Sequence, residues 1–135
     1  MATPMNDRSS AGIVAVVDDD PGVLRALAYL LESANHPVRL FASGTALVES
    51  GCLKEIDCLL TDIDMPGMDG LELLRRVQAA RPELPIIVVT GYPETMNRRP
   101  AGHGSSPRVF TKPFQGPELL AAVSASILNV DPGSG

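Results

Sequence analysis

Three short apolar runs constrain this chain more than any other feature. Ile13-Val14-Ala15-Val16-Val17 stops at Asp18, Leu59-Leu60 runs through Thr61 to Asp62, and Ile86-Ile87-Val88-Val89 stops at Thr90. Each is too short for a comfortable helix, and the first and last are apolar at successive positions, as in strands covered on both faces. Between the runs the period changes. Val23, Leu27, Leu30, Leu31 and Ala34 make a helical stripe that begins after Asp20 as cap and Pro21 as first residue, and that must end before Pro37. Leu71, Leu74 and Val77 make a second stripe ending before Pro82, and Leu119, Leu120, Val123 and Ile127 make the last. Val38 to Phe41 and Val109 to Thr111 are shorter strands, Asp57 to Thr61 is the expected extent of the third, and Ser43 caps a short helix reaching Gly51.

Strand and helix thus alternate about five times, which predicts an α/β domain: a doubly wound parallel sheet with right-handed crossovers and helices on both faces. Residues 1–11 read as a disordered arm, 12–130 as the domain and 131–135 as a frayed tail. One segment resists the alternation. A helix is due between the fourth and fifth strands, yet Gly91 to Pro107 is rich in Gly and Pro with almost nothing apolar to bury, so a short, irregular or disordered fourth helix is expected there.

With 135 residues, 44% of them apolar, the chain can fill one hydrophobic core. Its formal net charge of -5 and its lack of clustered Lys and Arg exclude nucleic acid as a main partner, since Arg75-Arg76 and Arg98-Arg99 are isolated pairs. No apolar run approaches membrane-spanning length and no secretion signal opens the sequence, which points to the cytoplasm and to no membrane partner. Cys52 and Cys58 lack the companions of a zinc site, and Cys58 reads as a buried, reduced thiol. His36 and His103 are not arranged with any nucleophile.

The chemistry gathers at one edge. In a parallel sheet all strands end on the same side, which brings together Asp18, Asp19, Asp62, Thr90 and the residues near Lys112. Six of the sixteen carboxylates lie within Asp18 to Asp20 and Asp62 to Asp69. Such like charges need a cation, and a hard divalent ion such as Mg²⁺, which prefers oxygen ligands, answers that need. Lys112 is one of only two lysines, and an ammonium there can pair with Asp62 or with a phosphoryl oxygen attached to it. A carboxylate nucleophile, a metal, an ammonium and the Thr90 hydroxyl suit the making and breaking of an acyl phosphate.

Four blocks, Val16-Val17-Asp18-Asp19-Asp20, Thr61 through Gly70, Val89-Thr90-Gly91 and Thr111-Lys112-Pro113-Phe114, together resemble the receiver domain of two-component response regulators, CheY-like in fold and FixJ-type in local flavour. The resemblance covers roughly Ile13 to Leu128 and implies strand order 2-1-3-4-5. It implies that Asp62 is the phosphoacceptor, served by a sensor histidine kinase or phosphotransfer protein. Asp19 would bind Mg²⁺ directly and Asp18 through water, with Asp62 and the main-chain carbonyl of Asp64 as further ligands. Thr90 and Lys112 would contact the phosphoryl group, the Lys112-Pro113 bond would be cis, and Asp64 and Tyr92 would hold positions that tune phosphoryl loss. Beyond this self-directed transfer and autodephosphorylation no enzymatic activity is implied.

The chain also departs from that pattern. Val109 stands where the family carries an aromatic ring three residues before the lysine, and strand alternation turns the neighbouring Phe110 the other way, into the core. The expectation is a receiver without an attached output domain, a stand-alone shuttle, sink or adaptor with a separate downstream partner. Two other readings are carried: a pseudo-receiver that only binds protein, and a haloacid-dehalogenase-type phosphatase suggested by Asp62-Ile63-Asp64. Bland roles exist for some acids, Asp20 as cap of the first helix and Asp69 as cap of the third.

Overall fold

The computed structural model describes residues 12–64, 70–92 and 107–129. The expected arm at 1–11, the tail at 131–135, the cap at Asp69 and the irregular segment between the fourth and fifth strands, from 93 to 106, lie outside these residues. Five strands are described: β1 (Val14–Val17), β2 (Val38–Phe41), β3 (Cys58–Asp62), β4 (Ile86–Thr90) and β5 (Arg108–Thr111). Four α-helices accompany them: α1 (Pro21–Ser33), α2 (Gly44–Ser50), α3 (Gly70–Ala80) and α4 (Gly116–Asn129). All strand pairs are parallel, in the order β2-β1-β3-β4-β5. This is the doubly wound sheet that the alternation and the resemblance predict.

The helix ends follow from their sequences. The Asp20 carboxylate accepts hydrogen bonds from the Gly22 and Val23 amides at 2.8 and 3.4 Å, capping α1 as expected. Ser43 caps α2 through the Ala46 amide at 3.0 Å, and Gly51 ends that helix with a left-handed φ of 76°.

Strand alternation sorts the core onto two faces. Ala15, Val17, Leu59 and Val88 pack with Leu47 of α2 and Leu73, Leu74 and Val77 of α3. Val14, Val16, Cys58, Leu60, Ile87 and Val89 pack on the opposite face with Leu27 and Leu31 of α1 and Leu119, Ala122 and Val123 of α4. The central strands β1, β3 and β4 are buried along their whole length, which explains why they read as unbroken apolar runs. Cys58 is fully buried and its thiol is pushed up to about 12, chiefly by desolvation.

The third strand differs by one residue from its expected extent. Asp57 stays outside it and clamps the start of β1, its amide donating to the Ile13 carbonyl at 2.8 Å and its carboxylate accepting from the Ile13 amide at 2.7 Å. The strand therefore runs through Asp62, which pairs with Val89.

Gly70 is a position the sequence does not single out. A Cβ there would lie 2.4 Å from the Ile63 Cα and 2.5 Å from the Ile63 carbonyl oxygen. The start of α3 thus presses on the backbone just after Asp62, and no side-chain rotation could relieve the overlap. Gly70→Ala should destabilise the fold by about 2 kcal/mol, as overpacking does, with a lower urea midpoint at unchanged slope. Gly116→Ala, whose nearest foreign atoms would be 3.7 Å away, serves as control and should leave the midpoint close to wild type.

Candidate functional site

The strand register assembles the site. Val17 pairs with Thr61, so the next residues, Asp18 and Asp62, leave adjacent strands side by side. Asp62 pairs with Val89, and Thr90 pairs with Thr111, which places Thr90 and Lys112 at the same edge. β1 and β3 also flank the point where the strand order reverses, the crevice in which α/β sheets commonly bind their ligands.

Asp18, Asp62 and Thr90 are almost wholly buried, whereas Asp19 and Asp64 are exposed. One carboxylate oxygen each from Asp18, Asp19 and Asp62 can be chosen so that all lie within 4.8 Å of one another. Three hard oxygen donors at that spacing fit a small divalent cation, and Mg²⁺ commonly uses only one or two carboxylates and fills its remaining positions with water or phosphate oxygens. Side chains of Asp18, Asp19 and Asp62 are the ones that would hold it.

Lys112 brings a positive charge to these acids. Its Nζ lies 3.0 Å from Asp62 Oδ2 and 3.5 Å from Asp18 Oδ2. The Lys112-Pro113 bond is cis, and the Lys112 amide donates to the Thr90 carbonyl at 2.8 Å, holding this turn against the end of β4. Partial burial alone would push the ammonium down, but the hydrogen bond and charge of Asp62, joined by Asp18, outweigh it and hold the lysine above its ordinary range. Asp62 is held at both oxygens, since its Oδ1 accepts from the Asp64 amide at 2.8 Å.

Burial pushes the Asp18 carboxyl up; the Asp20 amide and Lys112 pull it down, Asp62 adds to the rise, and the net direction is upward. The folded chain therefore holds this proton more tightly than the unfolded chain does. The stability contributed by this group is greatest below about pH 4, the pKa of an unfolded aspartate, and declines as pH rises through the raised folded value. Burial thus makes the charged form of Asp18 the costly one when no metal cation is beside it. Asp18→Asn should raise the melting temperature in EDTA at pH 7 and show a smaller rise on adding Mg²⁺ than wild type shows. Melting curves in EDTA that place the variant below wild type would contradict this account.

The exposed carboxylate of Asp64 has partners the sequence did not reveal. Its Oδ2 accepts the Thr90 hydroxyl and also the Gly91 amide, the latter at 3.1 Å, while Thr90 Oγ1 itself accepts from the Tyr92 amide at 2.9 Å. The Asp-x-Asp spacing was visible; that the second acid would reach across to the end of β4 depends on the path of the turn after β3. On β5, Val109 is partly exposed, and Phe110 packs against the α1/α4 face of the core with the Arg108 guanidinium 5.6 Å from its ring centre. His36 is buried, its Nε2 3.2 Å from Ser124 Oγ on α4. Among the described residues no helix is long and apolar enough to cross a membrane.

A family model described as the response regulator receiver domain matches residues 14–124, which spans every residue of this edge. The chain belongs to that family. It is 36% identical over 114 residues to the transcriptional regulatory protein FixJ of Azorhizobium caulinodans, covering 84% of this chain and 54% of that protein. It is also 36% identical over 116 residues to the DNA-binding transcriptional regulator NtrC of Escherichia coli K12, covering 86% of this chain and 25% of that protein. A solved structure described as a transiently phosphorylated "switch" in bacterial signal transduction matches with a TM-score of 0.75 at 34% identity, over 88% of this chain and 96% of that one. The receiver spans about half the length of FixJ and a quarter of NtrC.

Proposed function

We propose that this receiver takes a phosphoryl group onto Asp62 from a histidine kinase or phosphotransfer protein, with Mg²⁺ bound, and later yields it to water. The observation that carries the proposal is a buried carboxylate at a strand end with an ammonium 3.0 Å away and two further carboxylates close enough to share a cation. An Asp62 oxygen forms the O–P bond as the P–N bond of the phosphohistidine breaks, the electron pair staying on the imidazole nitrogen. Mg²⁺, when bound, supplies charge neutralisation for the transferring oxygens. Lys112 would help neutralise the developing charge, and Thr90 would offer its hydroxyl to a phosphoryl oxygen. Hydrolysis ends the phosphorylated state: a water oxygen bonds to phosphorus, the P–O bond to Asp62 breaks with its electron pair staying on the carboxylate, and the water's proton passes to solvent as inorganic phosphate leaves. The domain works on itself and turns over no external substrate.

The outward Val109 favours an output that does not run through an aromatic ring on β5, and with it the role of a cytoplasmic phosphoryl shuttle, sink or adaptor acting on a separate protein without binding DNA. Coverage of only 54% of FixJ favours a second reading, in which the same chemistry serves an output region of a longer protein. The mass of the native protein in cell extract separates the two. For the chemistry, the chain should be incubated with acetyl phosphate in Mg²⁺ or in EDTA and its mass followed. A single phosphoryl adduct that needs Mg²⁺ is the expected result. Absence of any adduct would leave a protein-binding pseudo-receiver, and rapid turnover of phosphate esters would restore the dehalogenase-type phosphatase.

A further inference from the structure

Resting on the receiver reading above, we propose that Asp64 is a positioning residue that latches Thr90 in the unphosphorylated protein, and that a phosphoryl group on Asp62 must take the Thr90 hydroxyl away from it. The Thr90 hydroxyl donates to Asp64 Oδ2, and a hydroxyl has one proton to donate. Donation to Asp64 and donation to a phosphoryl oxygen therefore exclude each other. Thr90 is fully buried, so water is not a ready substitute partner.

The latch is tied into the backbone on both sides. The Asp64 amide donates to Asp62 Oδ1 at 2.8 Å, which fixes Asp64 relative to the phosphoacceptor. The same Asp64 oxygen accepts from the Gly91 amide at 3.1 Å, and Thr90 Oγ1 accepts from the Tyr92 amide at 2.9 Å. Three successive residues at the end of β4 are thus held through one carboxylate oxygen and one hydroxyl. A phosphoryl group on Asp62 brings like charge close to Asp64 and offers Thr90 a stronger acceptor, so the Asp64 bonds break as the new one forms. The Gly91 and Tyr92 amides lose or change partners in the same event. Phosphorylation is in this way reported in the chain leaving β4, and no aromatic ring at position 109 is needed.

The test measures the affinity of the full chain for beryllofluoride with Mg²⁺ by calorimetry, with amide resonances of Gly91 and Tyr92 followed in parallel. Asp64→Ala removes the competing acceptor and should tighten binding by a factor on the order of ten, the scale of one charge-assisted hydrogen bond. Asp64→Asn keeps an acceptor oxygen without the charge and should gain less. In a Thr90→Ala background the gain from Asp64→Ala should fall to less than about twofold, because coupled residues lose their effect together. The Gly91 and Tyr92 resonances of ligand-free Asp64→Ala should lie displaced from wild type in the direction that beryllofluoride moves the wild-type signals. Unchanged or weaker binding by Asp64→Ala overturns the latch. A gain that survives intact in Thr90→Ala also overturns it, leaving only charge repulsion. Failure of wild type to bind beryllofluoride is a different result: it removes the receiver chemistry itself, and the latch with it.

Discussion

Asp62→Asn should abolish phosphoryl uptake, with labelling by acetyl phosphate falling about a hundredfold or more, to the limit of detection. The substitution is sharp because it preserves nearly everything else at the site. An amide has the shape of the carboxylate, and its oxygen can still accept from the Asp64 amide or face Lys112, contacts that are 2.8 and 3.0 Å in wild type. What it removes is the anionic oxygen proposed to attack phosphorus. The variant also loses one of the three carboxylates that can share a cation, so its melting temperature should respond less to Mg²⁺ than that of wild type. Its stability in EDTA should stay within about 1 kcal/mol of wild type, since one like charge is removed from beside Asp18 while one partner of Lys112 is weakened. Label that persists in the variant, mapped by peptide mass to Asp18 or Asp19, would move the phosphoacceptor to another acid and overturn the assignment.

The sequence revealed the sheet because its central strands are buried on both sides. Val14 to Val17, Cys58 to Asp62 and Ile86 to Thr90 are buried at every position, so nothing in their pattern alternates and each run announces itself. Edge strands carry a weaker signal. Arg39 and Leu40 on β2, and Arg108 and Val109 on β5, are exposed, and only their place in the alternation and the neighbouring Pro37 and Lys112 identify them. The site was legible for a related reason. Parallel strands end on one side, and knowing which residue ends each strand fixes which side chains meet, so Asp18, Asp62, Thr90 and Lys112 follow without any distance.

Contacts made by turns were not legible. The reach of the Asp64 carboxylate to Thr90 and Gly91 depends on the path of the chain after β3, and the pressure of Gly70 on Ile63 depends on the angle at which α3 returns to the sheet. Neither leaves a periodic trace. Spacing said only that a second acid follows Asp62 by two residues, and a glycine before a helical stripe has many uses. Both unforeseen contacts involve residues that follow Asp62 in sequence, so it is just after β3 that sequence patterns say least and local geometry decides most.

Lys112→Met should slow labelling by acetyl phosphate about a hundredfold while leaving the chain folded, the loss expected when one charged donor is removed from a transferring group. Among the described residues Lys112 is the cation within ion-pair distance of both buried acids. Its removal acts twice. In the resting protein the Asp18 and Asp62 carboxylates face each other without an ammonium, and stability in EDTA should drop by about 1–2 kcal/mol, less than for a fully buried pair because the lysine side chain is 31% exposed. In the proposed reaction, the charge gathering on the phosphoryl oxygens loses a cationic partner. Mg²⁺ distinguishes the two effects. A divalent ion among Asp18, Asp19 and Asp62 can replace the missing charge between the acids, so saturating Mg²⁺ should restore most of the lost stability. It cannot stand where the ammonium stood, so the labelling rate should remain low at the same Mg²⁺ concentration. Lys112→Arg should recover the stability but only part of the rate, because a planar guanidinium on a different stem cannot place one compact charge at the same point. If Mg²⁺ restored rate and stability together in Lys112→Met, the lysine would be a structural counter-ion and the phosphoryl contact assigned to it would be wrong.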